Sequence, residues 1–114
     1  MIERGDVWLA DLDPPRGTEP GKRRPVLVVQ AQALLDAQHP STLVVPLTTN
    51  LIEFAEPLRL RIETSGLLAQ DSDLLIDQLR AIDNHRLLEG PLMHLSTEAM
   101  TLVGNAISEV LELF

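Results

Sequence analysis

Hydrophobic positions in this chain follow two different rhythms. Through the first two thirds they come in short runs bounded by turn residues, which is the signature of strands. Arg4 to Leu12 mixes apolar and polar positions, with Val7, Trp8 and Leu9 as the strand and Asp13-Pro14-Pro15-Arg16-Gly17 as its stop. Pro25 to Gln30 is a continuous β-branched and leucine run, the pattern of a strand covered on both faces. Ala31 to Gln38 reads as a short helix, and Ser41 to Thr48 as a third strand. Pro46 removes one ladder donor there and predicts an edge, a bulge or a strand end near Thr48. Leu58 to Ile62 alternates, so its leucines and isoleucine are expected inward, with Arg59 and Arg61 outward opposite glutamates. Asp73 to Ile82 reads as one further strand with Asp77, Gln78 and Arg80 near its far end.

The last segment changes period. From Ser96 onward Met100, Val103, Ile107, Val110, Leu111 and Phe114 recur at helical spacing, with Thr101, Asn105, Ser108 and Glu112 opposite them. Ser96 is placed to cap this amphipathic helix, and Glu98 lies in its first turn, where negative charge suits the helix dipole. Five short strands and one terminal helix predict an α+β fold: a small, partly closed antiparallel β-barrel with the helix over an open side. The lone Trp8 is expected in the core.

Length and composition sharpen this picture. The 114 residues, 45% of them apolar, suit one domain spanning 1–114. No apolar run reaches membrane-spanning length, and the start of the chain is charged, which predicts a soluble, cytoplasmic protein without membrane partners. With no cysteine, thiol nucleophiles, disulfides and thiolate zinc sites are excluded. His39, His85 and His94 lack the spacing that would put two imidazoles on one helical face, so neither a metal nor another cofactor is expected. The formal charge of -8 opposes binding of duplex nucleic acid by bulk electrostatics. Its distribution matters more. Arg16, Lys22, Arg23 and Arg24 face only Glu19 within residues 14–25, whereas nine acids face Arg80 and Arg86 in residues 62–114. A short basic loop on an acidic body can hold a few phosphates locally while the rest of the surface repels nucleic acid.

Three segments then stand in a telling order. The first runs Arg4-Gly5-Asp6-Val7-Trp8, Asp11-Leu12-Asp13-Pro14, Gly17-Thr18-Glu19 and Arg24-Pro25-Val26-Leu27. The second is Val45-Pro46-Leu47-Thr48-Thr49-Asn50, and the third is Asp77-Gln78-Leu79-Arg80-Ala81-Ile82-Asp83 followed by Arg86-Leu87. Together they resemble the MazF/PemK (Kid-type) toxins over nearly the whole chain. The resemblance implies an SH3-like barrel, a homodimer, sequence-specific cleavage of single-stranded RNA without a cofactor, and neutralisation by a cognate MazE-like antitoxin.

Metal-free RNA cleavage requires attack by a 2′-hydroxyl on phosphorus, with a proton acceptor, a proton donor for the leaving 5′-oxygen and donors around the phosphorane. By resemblance, Arg24 and Thr48 match the family's catalytic arginine and threonine. The planar fork of Arg24 can grip two phosphate oxygens, Pro25 restricts its backbone, and the Thr48 hydroxyl can donate to phosphate. A guanidinium is a poor base near neutrality, which makes Arg24 an electrostatic stabiliser and proton donor. Lys22 and Arg23 flank it as phosphate contacts; Arg16, Thr18, Glu19, Thr49, Asn50 and Asp77 complete the expected substrate-binding set. Glu19 and Asp77 are the candidate proton acceptors. Asp77 has an equally good reading as a strand-end residue orienting Arg24 or Arg80. Thr18 and Leu75 stand where some Kid-type members carry a histidine and an arginine. Two other classes stay open: a gyrase-poisoning toxin resembling CcdB, set against the Glu112-Leu113-Phe114 end that lacks a tryptophan, and a family relative that binds RNA without cutting it.

Overall fold

The computed structural model describes residues 1–19 and 21–113. Among them the chain forms seven strands: β1 Asp6–Asp11, β2 Arg23–Val28, β3 Ser41–Thr48, β4 Arg59–Ile62, β5 Ser72–Leu75, β6 Arg80–Asp83 and β7 Leu87–His94. A five-residue helix, α1 Gln32–Asp36, joins β2 to β3, and α2 Thr97–Leu111 closes the chain. All pairings are antiparallel, in the order β4-β5-β3-β2-β1-β7 with β6 also on β3, so β4, β6 and β7 each pair on one side only and the barrel is incompletely closed. No helix among the described residues is long and apolar enough to cross a membrane.

Apolar side chains are buried on both faces of the central strands. Val7, Leu27, Val45, Leu47 and Leu74 pack with Val103 and Ala106 of α2, while Leu12, Val26, Val44 and Ile82 form a second cluster on the other side, with Trp8 against it. Among the described residues that cluster is built from strand and strand-flanking side chains alone, so the sheet must curl over its own residues to bury them. The continuous run in β2 is thus covered on both faces, as its composition predicts. Ser96 caps α2 by accepting the Ala99 N–H at 3.1 Å. Met100, Val103, Ile107 and Val110 face the core, whereas Leu111 is exposed, and the expected inward position of Phe114 lies outside the described residues.

Of the three outcomes that Pro46 predicts, the strand end is the one met: β3 is a central strand and ends at Thr48. Pro46 is tolerated because β3 pairs with β6 through residues 41–44 and with β5 through residues 47–48, and its missing N–H falls at the handover. The single strand expected over Asp73–Ile82 is broken by a 3-10 turn, Ile76–Gln78, which places Asp77 in that turn rather than at a strand end. The turn lets one chain segment serve both halves of β3, with Leu47 opposite Leu74 before it and Val44 opposite Arg80 after it. Leu58 is exposed, not core, since β4 begins only at Arg59.

β7 went unpredicted because Gly90-Pro91 reads as a turn. It is an edge strand whose register on β1 shifts beside Trp8, and a Cβ on Gly90 would sit 2.5 Å from the indole. The glycine there makes room for the ring, and the proline is tolerated at an edge.

Candidate functional site

The candidate site is a groove of about 420 Å³ where the starts of β2 and the end of β3 meet. β2 supplies Arg23 and Arg24, preceded by Lys22; β3 supplies Thr48, followed by Thr49 and Asn50. Leu68, Gln70 and Ser72, from the approach to β5, form the opposite wall.

The loop from β1 to β2 is shaped at its base by four hydrogen bonds. Lys22 N–H donates to the Asp13 carboxylate, and Leu12 N–H to the Lys22 carbonyl at 2.9 Å, which hold Lys22 at φ 67, a left-handed conformation rare outside glycine. Arg86 Nη1 donates to the carbonyls of Asp11 and Asp13 at 2.9 and 2.8 Å. Gly21 lies so close to Asp13 and Pro15 that a Cβ would approach both to 2.8 Å. Only a residue without a side chain brings this strand end so near the loop.

That closeness positions Arg24. Its Nε donates to the Gly21 carbonyl at 2.9 Å and its Nη1 to the Leu47 carbonyl at 3.2 Å, so the guanidinium bridges β2 to β3 one residue before Thr48. Both acceptors are neutral. Its remaining N–H groups, including both on Nη2, are free of hydrogen bonds within the described residues. Burial pulls the guanidinium below its ordinary range, with the Asp13 carboxylate working in the opposite direction. The result is a fixed cation facing the groove, whose charge no contacting carboxylate among the described residues neutralises.

Thr48 Oγ1 accepts the Asn50 N–H at 3.2 Å, which leaves the hydroxyl proton able to donate elsewhere. Arg23 is exposed and Arg24 half-buried, as alternation along a strand requires, yet both line the groove. The described residues that line it carry cations, hydroxyls and amides, with no carboxylate or imidazole. Such a surface matches a phosphodiester.

The other expected residues fall elsewhere. Thr18 and Asp77 share a neighbouring depression of about 370 Å³ with Ile52, Leu58, Arg59 and Gln78. Asp77 is exposed, and among the described residues it makes no hydrogen bond to Arg24 or Arg80, so an orienting role toward either is not met. Arg16 and Glu19 are exposed on the loop, closed into a turn by Glu19 N–H donating to the Arg16 carbonyl at 3.0 Å, and neither lines the groove. Sequence reasoning missed Ser72 and Gln70, whose place beside Thr48 follows from the pairing of Thr48 with Asp73 and has no local signal. It also missed Asp13, although this residue lay in plain view at the loop start.

Elsewhere, Glu3, Asp6 and His94 bring ligand-type atoms within 4.8 Å of one another. Asp6 already accepts from Glu3 N–H at 3.0 Å, Trp8 Nε1 at 3.3 Å and His94 Nδ1 at 2.8 Å, a clasp that joins the start of β1 to the end of β7.

Comparison with known proteins fits this fold. Residues 3–111 match the model of the PemK-like, MazF-like toxins of type II toxin-antitoxin systems. The chain is 39% identical over 108 residues to the endoribonuclease MazF of Staphylococcus saprophyticus, covering 94% of this chain and 88% of the relative. In fold it is similar to crystalline MazF from Deinococcus radiodurans, with a TM-score of 0.80 at 20% identity over 97% of this chain and 96% of that one. A mycobacterial endoribonuclease in complex with its cognate antitoxin is also similar, with a TM-score of 0.78 at 20% identity over 100% and 98% of the two chains. A family match over nearly the whole length and a relative at this identity establish membership: the chain belongs to the PemK-like, MazF-like toxin family of type II toxin-antitoxin systems.

Proposed function

We propose that this single toxin domain, spanning 1–114, is a ribosome-independent, metal-independent endoribonuclease that cuts single-stranded RNA at specific sequences. The observation that carries the reading is the Arg24 guanidinium, bridged between two backbone carbonyls beside the Thr48 hydroxyl, with its charge left for a ligand. The 2′-hydroxyl neighbouring the scissile bond attacks phosphorus and the 5′-oxygen leaves. Charge grows on the non-bridging oxygens, where Arg24 and the Thr48 hydroxyl stabilise it without having to reorganise. Desolvation makes Arg24 a somewhat better proton donor toward the leaving oxygen. Lys22, Arg23, Thr49 and Asn50 bind the phosphates and sugars on either side. Thr18 and Asp77, in the adjoining depression, contact a nucleotide further along the strand, and Arg16 and Glu19 act from the loop. Asp77 and Glu19 remain the proposed acceptors for the 2′ proton, brought in by RNA that spans both depressions.

The antitoxin is a MazE-like partner, in keeping with the antitoxin complex of the mycobacterial structure; its flexible acidic segment lies over the cationic cluster of Lys22, Arg23 and Arg24. Two copies of the chain form a homodimer that acts in the cytoplasm. The test is incubation of purified protein with a long RNA in EDTA. Discrete fragments ending in cyclic phosphate and 5′-hydroxyl are expected. Fragments with 5′-phosphate ends, or activity that returns only with a divalent ion, would refute the mechanism.

A further inference from the structure

Asp73 lies in β5 between Thr48 of β3 and Arg61 of β4, and its side chain is 1% exposed. A carboxylate this deep is tolerated only where donors replace its water. Its Oδ1 accepts Arg61 Nε at 2.5 Å, and its Oδ2 accepts Ile52 N–H at 3.0 Å and Arg59 Nη1 at 3.3 Å. These contacts converge on the segment that leaves the groove. Arg59 Nη1 also donates to the Asn50 carbonyl at 2.8 Å, and Arg61 Nη2 to the Ile52 carbonyl at 3.4 Å. The chain just past Thr48 is exposed and belongs to no strand, so without these bonds it would fray from the end of β3. One link then returns to the site: Asn50 N–H donates to Thr48 Oγ1.

We propose that Asp73 is a positioning residue of the groove: through Arg59 and the Ile52 amide it fixes the 50–53 segment, and through that segment the direction of the Thr48 hydroxyl. The proposal rests on the nuclease reading of the groove, but its geometric half can be tested without it. A merely structural ion pair would set stability; a positioning network sets what Thr48 can do. The buried carboxylate ties together two arginines and a backbone amide, and the bonds they make reach the backbone two and four residues beyond Thr48.

The test uses Arg59→Ala, whose half-buried side chain at the barrel edge permits folding, together with Asp73→Ala. Arg59→Ala should slow single-turnover cleavage at saturating protein roughly tenfold, with half-saturation shifted less than about threefold, because a small misplacement of a catalytic group costs rate rather than affinity. In a Thr48→Ala background the same substitution should cost less than about twofold, since its effect passes through Thr48. Full additivity of the two losses, a folded Arg59→Ala that cleaves like the parent, or a loss confined to half-saturation would overturn the proposal. Amide hydrogen exchange supplies the second readout. Exchange at Asn50 should accelerate in both variants and at Ile52 in Asp73→Ala, with β2 unchanged. If the parent does not cut RNA, the nuclease reading fails and exchange decides alone: unaltered protection at both amides overturns the positioning as well.

Discussion

Two sets of arginines lie on β4 and β2 of this barrel, with β5 and β3 between them, and they have opposite fates. Arg59 and Arg61 are held by the buried carboxylate of Asp73, with Glu53 adding a contact to Arg61 at 3.1 Å. Their positive charge is neutralised within the protein, and the hydrogen bonds of Asp73 and Glu53 hold Arg61 above its ordinary range. Arg24 is fixed just as firmly, but by neutral carbonyls, and burial pulls it below its ordinary range. The lesson is that rigidity and charge availability are separable. A carboxylate partner fixes an arginine and cancels it, whereas a carbonyl partner fixes it and leaves the charge for an anion arriving from solution. On a chain with a formal charge of -8, such a preserved cation lets one groove attract phosphate from an otherwise repellent surface.

The strongest way to break the comparison is to remove the hydroxyl that works beside the free cation. Thr48→Ala should lower single-turnover cleavage about 100-fold at saturating protein with RNA binding retained, as expected for loss of one preorganised donor. Thr48→Ser keeps the hydroxyl and should stay near the parent rate. Equal activity of the alanine and serine variants would remove Thr48 from the chemistry.

A second test addresses the neutralised pair. Burial alone would raise the Asp73 carboxyl, but hydrogen bonds from Arg61, the Ile52 N–H and Arg59 outweigh it and hold it below the ordinary carboxylate range. A depressed folded pKa contributes stability above the unfolded carboxylate value of about 4, and that contribution is lost as pH falls through the folded value. Asp73→Asn should therefore melt about 5 °C below the parent at neutral pH, and the gap should close in acid. A gap that persists undiminished well below pH 4 would show that the carboxylate charge is not its source.

The smallest effect belongs to Arg23, an exposed neighbour on the groove rim. Arg23→Ala should weaken RNA binding and flatten its salt dependence by about one charge, while saturated cleavage changes little. If Arg23 proves essential at saturation, the assignment of the catalytic arginine is off by one residue.

Much of the comparison is legible in the sequence. Ser41–Thr48 and the Ser96-capped helix follow from hydrophobic period and capping chemistry, both local properties. The basic cluster ahead of Pro25 and the polar residues closing β3 mark the groove because each sits where an apolar run begins or ends. Asp73 was hidden inside what reads as one strand, and its importance depends on register: only pairing places it between Thr48 and Arg61. The outward arginines were expected opposite glutamates, and only Glu53 fits that expectation, because the dominant partner comes from the adjacent strand. β7 was masked by Gly90-Pro91, whose reason is the bulk of a tryptophan on β1 that no local pattern reveals.

The central claim is that Arg24 offers an uncancelled charge to a transition state. The most direct measurement is single-turnover cleavage of one RNA in EDTA by the parent and Arg24→Ala, at saturating protein and with melting curves taken in parallel. Loss of about 10²- to 10³-fold in rate is predicted, with unchanged RNA affinity within a few fold and an intact fold. An Arg24→Ala protein that folds normally and cuts at the parent rate would contradict the account.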